Sequence, residues 1–380
     1  MQFKQIVGQQ GVKQRLLNTV RENRVSHAQL FLGPEGSGSL ALALAYAQYL
    51  SCEDKQADDS CGVCASCRKY EKLVHPDLHF SYPFFAKHKD DTALSFIEEW
   101  REALLTHPYL SLDIWRSYLE ADNKQANINI AECHQIIKKL SLKPFESEYK
   151  ILILWLPEYL DKEGNTLLKI IEEPQPNTLF LLVAQNQDQI LNTILSRTQL
   201  VKIPTLGYED VKNYLIQQKG QPVQTAEEAA YLSCGNLTEA LAMLQQDTKS
   251  HHEAFLNWLR KCYSNKGLEI MAFVEQVAKA GRENQKNFLH YGISYIRECC
   301  LILSGAAELV HLPAVEKETA QKMAAVMTLD MGEGISAELE KAYYHVERNA
   351  NPKILFLDVS LQIIKILHYK MLPQGTQYMN

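Results

Sequence analysis

Residues 31–42 read FLGPEGSGSLAL, a glycine-spaced turn between an apolar run and a helix-forming run. A phosphate-binding loop, G-x-x-x-x-G-K-[ST], cradles phosphates with backbone N–H groups. Its Lys reaches the β- and γ-phosphates and its hydroxyl holds Mg²⁺. Gly33 and Gly38 keep that spacing, with Gly36 between them, but Ser39 stands in the lysine position and Leu40 in the hydroxyl position. The stretch predicts the strand–loop–helix geometry of a nucleotide-binding fold without its chemistry. Backbone N–H groups alone leave weak nucleotide binding open.

The flanking pattern supports that geometry. AQLFLG (28–33), YKILILWLP (149–157), TLFLLVA (178–184) and TQLVKI (198–203) read as strands, the second as one buried on both faces. Helical patterns intervene, notably SLALALAYAQYL (39–50), INIAECHQIIKKL (128–140) and GNTLLKIIEE (164–173). Such alternation implies a parallel sheet covered by helices over residues 1–205, an α/β domain. Residues 81–126 interrupt it with helical periodicity and many aromatics, which reads as an inserted helical excursion, either a partner-binding element or a surface elaboration. Short helices follow over 206–248. From 251 to 380 the periodicity is wholly helical, as in an antiparallel bundle.

A hydrolytic site also needs acids at the end of a neighbouring strand, one on Mg²⁺ and one polarising water. In ILILWLPEYL those places hold Trp155 and Leu156, and Glu158 past Pro157 reads as a helix-start residue. Both halves of the hydrolytic apparatus are missing, so no ATP hydrolysis by this chain is expected.

Bulk numbers narrow the class. The chain has 380 residues, 46% hydrophobic and 22% charged, with a net charge of −6, which does not describe a general polyanion binder. No apolar run approaches the roughly 20 residues of a membrane span. MQFKQIVGQQ lacks the apolar stretch of a signal peptide, and a cytoplasmic location is expected. Of nine cysteines, Cys52, Cys61, Cys64 and Cys67 crowd together as C-x8-C-x2-C-x2-C. Four thiolates are the ligand set of a closed, structural zinc site. His75 and His79 follow closely but read as local structure, because four sulfurs fill the shell.

Together these residues resemble the AAA+ clamp-loader family of bacterial DNA polymerase III, and within it the δ′ subunits. The markers are the 6–52 segment with its degenerate loop, CGVCASC, HPDLHF, YKILIL, NTLLKIIEEPQPNTLFLL and ILSRTQLVKI. The resemblance implies an AAA+ domain over 1–205, with the zinc module at 52–67 and the insertion at 81–126. It implies a helical lid at 206–248 and a C-terminal oligomerisation collar at 251–380. It further implies a non-hydrolysing subunit in a heteropentamer with γ/τ and δ, which places the sliding clamp on primer-template DNA.

The family's Ser-Arg-Cys motif, which offers an arginine to ATP on a neighbour, reads Ser196-Arg197-Thr198 here. Arg197 is the expected trans finger. Glu239 replaces the lid arginine of active members, and Gln185 or Asn186 stands near the polar sensor position. Lys138 and Lys139 face either DNA or solvent.

Competing readings make demands of their own. An active γ/τ-like ATPase needs Lys at 39 and acids near 155–156. A free-standing zinc-containing DNA-binding protein calls for a basic face. A thiol-redox protein built on CGVCASC needs an exposed thiolate pair of low pKa. No paired metal-binding acids suggest a polymerase site, so a polymerase label would describe the holoenzyme.

Overall fold

The computed structural model describes residues 1–369 except 87, 89, 122, 123, 246, 247, 311, 313 and 349. The end of the predicted collar, 370–380, lies outside the described residues. The chain divides into two compact units, Met1–Ala242 and Met243–Asn380.

Five strands build the first unit: β1 (Ala28–Leu32), β2 (Leu78–Ser81), β3 (Lys150–Trp155), β4 (Thr178–Ala184) and β5 (Gln199–Lys202). They form one all-parallel sheet in the order β2-β3-β4-β1-β5, with Leu30 opposite both Leu182 and Leu200. β3 and β4 are buried along their whole length, because helices cover both faces. The expected α/β architecture, a parallel sheet with flanking helices, is what this unit adopts. The one strand missed from the sequence is β2. It has only four residues, of which Leu78, Phe80 and Ser81 are buried.

The helices of this unit are α1 (Gln10–Arg21), α2 (Ser39–Ser51), α3 (Ala65–Glu71), α4 (Ile97–Thr106), α5 (Leu112–Tyr118) and α6 (Ile130–Leu140). After them come α7 (Leu168–Glu172), α8 (Asn192–Leu195), α9 (Tyr208–Gln217), α10 (Val223–Leu232) and the start of α11 (Leu237–Gln245). Every residue of α2 is buried, and its alanines let neighbouring elements approach on all sides.

The 81–126 insertion is no surface elaboration. Its ends are tied by reciprocal backbone bonds between Phe84 and Asn127, at 3.1 and 3.2 Å. Between them Tyr82, Phe84, Trp100 and Trp115 are fully buried and join the main core. Trp100 stacks on Tyr82 at 3.9 Å and meets Trp155, at the end of β3, at 5.2 Å. Burying several rings at about 1.5–3 kcal/mol each is far more favourable than leaving them in a loop. The Trp115 indole N–H, which would be costly to bury unpaired, donates to the Pro83 carbonyl at 2.7 Å.

The second unit contains α12 (Thr248–Tyr263), α13 (Gly267–Lys279), α14 (Arg282–Leu303), α15 (Ala314–Ala324), α16 (Leu329–Glu347) and α17 (Pro352–Tyr369). Phe255, Trp258, Phe273, Phe288 and Phe356 form its aromatic centre. A buried polar chain crosses it, with Tyr291 Oη 2.7 Å from His252 Nδ1 and donating to Glu316 at 2.7 Å.

Candidate functional site

The glycine loop leaves the C-terminal end of β1, where ligands bind in open parallel sheets. Gly33 N–H donates to Ala184 O of β4 at 3.1 Å, and Gly38, in the left-handed region at φ +88°, precedes α2. The loop's polar groups are engaged inside the chain. Ser37 and Ser39 hydroxyls pair at 3.0 Å, and Gln9 Nε2 donates to the carbonyls of Ser37 and Pro204 at 3.0 and 2.7 Å. Leu237 N–H, at the start of α11, donates to Gly36 O at 3.3 Å.

Trp155 and Gln185 line the same cleft, with Trp155 where an acid would face Mg²⁺. Glu158 does open a helix, Pro157–Leu167, but its carboxylate turns away to accept from Gln185 and Asn186 N–H groups at 2.6 and 2.8 Å. Burial raises its pKa. Glu239 sits in the first turn of α11. The chemistry left here is that of a packed joint.

The four clustered cysteines do converge. Their Sγ atoms lie within 4.8 Å of one another. Zn–S bonds of about 2.3 Å in a tetrahedron would separate sulfurs by about 3.8 Å. The Cys52–Cys61 and Cys61–Cys67 separations of 3.6 and 4.0 Å bracket that value. Local structure sets the cluster. Gly62 turns the first C-x2-C at φ +76°, and Cys64 caps α3 by accepting from Cys67 N–H at 3.4 Å. The N–H groups of Val63 and Cys64 point at Cys61 Sγ and lower its pKa to about 7, while burial raises those of Cys52 and Cys67. This donor set fits a metal ion.

His75 and His79 stand outside the cluster. His75 is buried, with Nδ1 accepting from Asp77 N–H at 3.1 Å and Nε2 at 3.2 Å from Glu146. His79 lies on β2.

Arg197 lines neither the cleft nor the sulfur cluster. It follows α8, and its Nε donates to Glu172 at 3.0 Å while Nη1 donates to Thr193 O and Ser196 Oγ at 3.0 and 3.3 Å. Among the described residues Nη2 makes no hydrogen bond. Lys138 and Lys139 close α6, and Lys138 is exposed.

Residues 8–207 match the family model described as DNA polymerase III, delta subunit. The chain belongs to that family. It is thus a member of the clamp-loader proteins, which the sequence markers anticipate. This family member is 26% identical to DNA polymerase III subunit delta′ of Bacillus subtilis, over 62% of this chain and 59% of that one. It is 24% identical to subunit delta′ of Escherichia coli, over 62% and 59%. It is 22% identical to subunit tau of Bacillus subtilis, over 96% and 62%. The chain spans about three-fifths of the length of these relatives. Among the described residues no helix is long and apolar enough to cross a membrane.

Sequence reasoning missed Tyr109, which lines the cleft, and Glu172, which holds Arg197. Glu172 lies inside a quoted marker, but no local signal singles it out as a partner of Arg197. Tyr109 lies in the insertion, and nothing in its neighbourhood along the chain signals a contact with the glycine loop.

Proposed function

We propose that this chain is a non-hydrolysing δ′ subunit of a DNA polymerase III clamp loader. The observation that carries the reading is the set of four substitutions at the nucleotide cleft. Ser39 and Leu40 replace the loop's working pair, and Trp155 and Leu156 replace the acids, in a chain that keeps the family's frame. Losing a charge that stabilises a transition state costs about 3–4 kcal/mol for one group, and here several are missing. Hydrolysis then belongs to γ/τ-like partners, and this subunit supports their ATP-dependent loading of the sliding clamp on primed DNA.

Arg197 acts in trans. The Glu172 carboxylate on Nε and the Thr193 carbonyl on Nη1 fix its guanidinium at the surface and leave Nη2 for a phosphate oxygen on the neighbouring subunit. Residues 206–248 serve as the lid and 251–380 as the collar. Exposed Leu268 and Met271 on α13, with Ile354, Leu357 and Leu361 on α17, are the kind of apolar faces that a collar covers on assembly. Lys138 contributes to a basic surface toward DNA only together with other subunits. Cys52, Cys61, Cys64 and Cys67 hold structural zinc, which cross-links the segment between α2 and α3 and takes no part in catalysis.

The test is the DNA- and clamp-stimulated ATPase of the reconstituted loader with the wild-type chain or Arg197→Ala. A loss of about 100-fold or more, with assembly intact on gel filtration, is expected for a phosphate-contacting arginine. An unchanged rate removes the finger role.

A further inference from the structure

Pro108, Tyr109 and Leu110 come from the insertion, yet they line the same cleft as Gly33, Gly36, Gly38 and Ser39. The space left there is about 30 Å³. That is room for a water, against the roughly 300 Å³ or more of a small-molecule site.

Tyr109 is the centre of the closure. Its ring stands against the N-terminal end of α2, so near that a Cβ on Gly38 would lie 2.9 Å from Tyr109 Cε1. Its hydroxyl accepts from Val7 N–H at 2.8 Å, and its carbonyl accepts from Thr238 Oγ1 at 2.6 Å. One residue therefore fastens the N-terminal segment, the phosphate loop and α11 to one another. α11 adds its own contact, Leu237 N–H on Gly36 O. The Mg²⁺ side is filled by the same insertion, through Trp100 against Trp155.

We infer that the 81–126 insertion is a resident occupant of the nucleotide site, with Tyr109 holding α11 against the phosphate loop in place of a bound ligand. A tethered occupant works at a high effective concentration and needs no ligand from solution. Mg·ATP could bind only the open form, so it has to outcompete the tethered residues, and without the loop's Lys and hydroxyl it has little affinity with which to do so. The subunit therefore stays closed at ordinary nucleotide levels. The inference rests on this cleft alone and stands apart from the role proposed for Arg197.

The test uses the full chain. Wild type is titrated with a fluorescent N-methylanthraniloyl-ATP in the presence of Mg²⁺, and its melting is followed with millimolar Mg·ATP. No saturable binding and no thermal shift are expected. Amide exchange is then followed at Leu237–Ala240 and on β1 and β4, for wild type, Tyr109→Ala and Thr238→Ala. Exchange at Leu237–Ala240 should quicken by about tenfold or more in Tyr109→Ala and severalfold in Thr238→Ala, while the strands keep their protection. Saturable binding of the ATP probe to wild type overturns the inference. So does unchanged exchange at Leu237–Ala240 in the variants. Should Tyr109→Ala not fold, Thr238→Ala and the wild-type titration decide.

Discussion

Arg197 Nε donates to Glu172 Oε2 at 3.0 Å, which ties the serine-arginine segment before β5 to the glutamate that ends α7. Both members are partly exposed, so the pair itself adds little stability, about 0–1 kcal/mol. Its effect is on direction. With Nε held by Glu172 and Nη1 by Thr193 O, the guanidinium has one edge left to offer. Glu172→Ala should therefore leave the unfolding free energy within about 1 kcal/mol of wild type. It should lower the loader's ATPase about two- to fivefold, far less than Arg197→Ala. Denaturant unfolding read beside ATPase on the same preparations separates the two effects. A Glu172→Ala rate equal to wild type would show that the arginine needs no such orientation.

Metal removal should act locally. The cysteine segment between α2 and α3 is mostly exposed over 53–59, and a metal on the sulfur cluster would cross-link it. One zinc per chain is expected by elemental analysis. Chelation, or Cys67→Ser, should release it and expose 52–71 to protease, while the circular dichroism of the sheet and helices is largely retained. For a unit of this size each kcal/mol lost lowers the melting temperature by about 2–4 °C. A chain that binds no zinc yet resists protease at 52–71 would refute the structural-metal reading.

What was legible in the sequence is what is decided locally. β1, β3 and β4 declare themselves as apolar runs, because each is buried on both faces. The cysteines declare themselves because sulfur on two tight turns has few other uses. β2 escaped because four residues, three of them buried, carry almost no periodic signal. The closure of the glycine loop could not be read at all. It is made by Val7, Gly38, Tyr109 and Thr238, which are far apart along the chain and meet only in the fold. The fate of the insertion was misjudged for a related reason. Its aromatics could have faced solvent or a partner, and only packing against Trp155 and Tyr82 shows that they complete the core.

Acid should weaken each unit through a half-buried histidine. Burial first, and nearby lysines second, lower the pKa of His79 in the first unit to about 4, and the same causes lower His290 in the second unit to about 4. The unfolded chain protonates these rings near the ordinary value of 6.5. Between those values the unfolded state binds more protons. The stability that each neutral ring contributes is therefore present above pH 6.5 and is lost as the pH falls toward 4. On the order of 2 kcal/mol should go from each unit by about pH 4.5, allowing for the partial exposure of His79. Urea unfolding at pH 7 and about pH 4.5 measures it. His79→Gln should flatten the dependence of the first unit alone, and His290→Gln that of the second.

The glycine spacing that first suggests a phosphate loop now has a different requirement behind it. Gly36 holds φ +72°, and a Cβ there would lie 1.9 Å from Asn236 Oδ1 and 2.7 Å from Leu237 N. The amide side chain could turn aside, but the backbone nitrogen cannot move without breaking its bond to Gly36 O. Gly36→Ala should cost the first unit about 2–3 kcal/mol, part from the left-handed backbone and part from lifting α11. Gly11→Ala serves as the comparison. It lies in α1 with nothing within 4 Å of its would-be Cβ, and it should be neutral or stabilise by up to about 1 kcal/mol. The two variants differ by one methyl each, so denaturant unfolding compares the sites directly. If Gly36→Ala is as harmless as Gly11→Ala, the glycine is only an inheritance from a phosphate-binding ancestor. If it is costly in a chain that binds no nucleotide, the glycine is retained because α11 and Tyr109 now press on the loop that phosphate would otherwise fill.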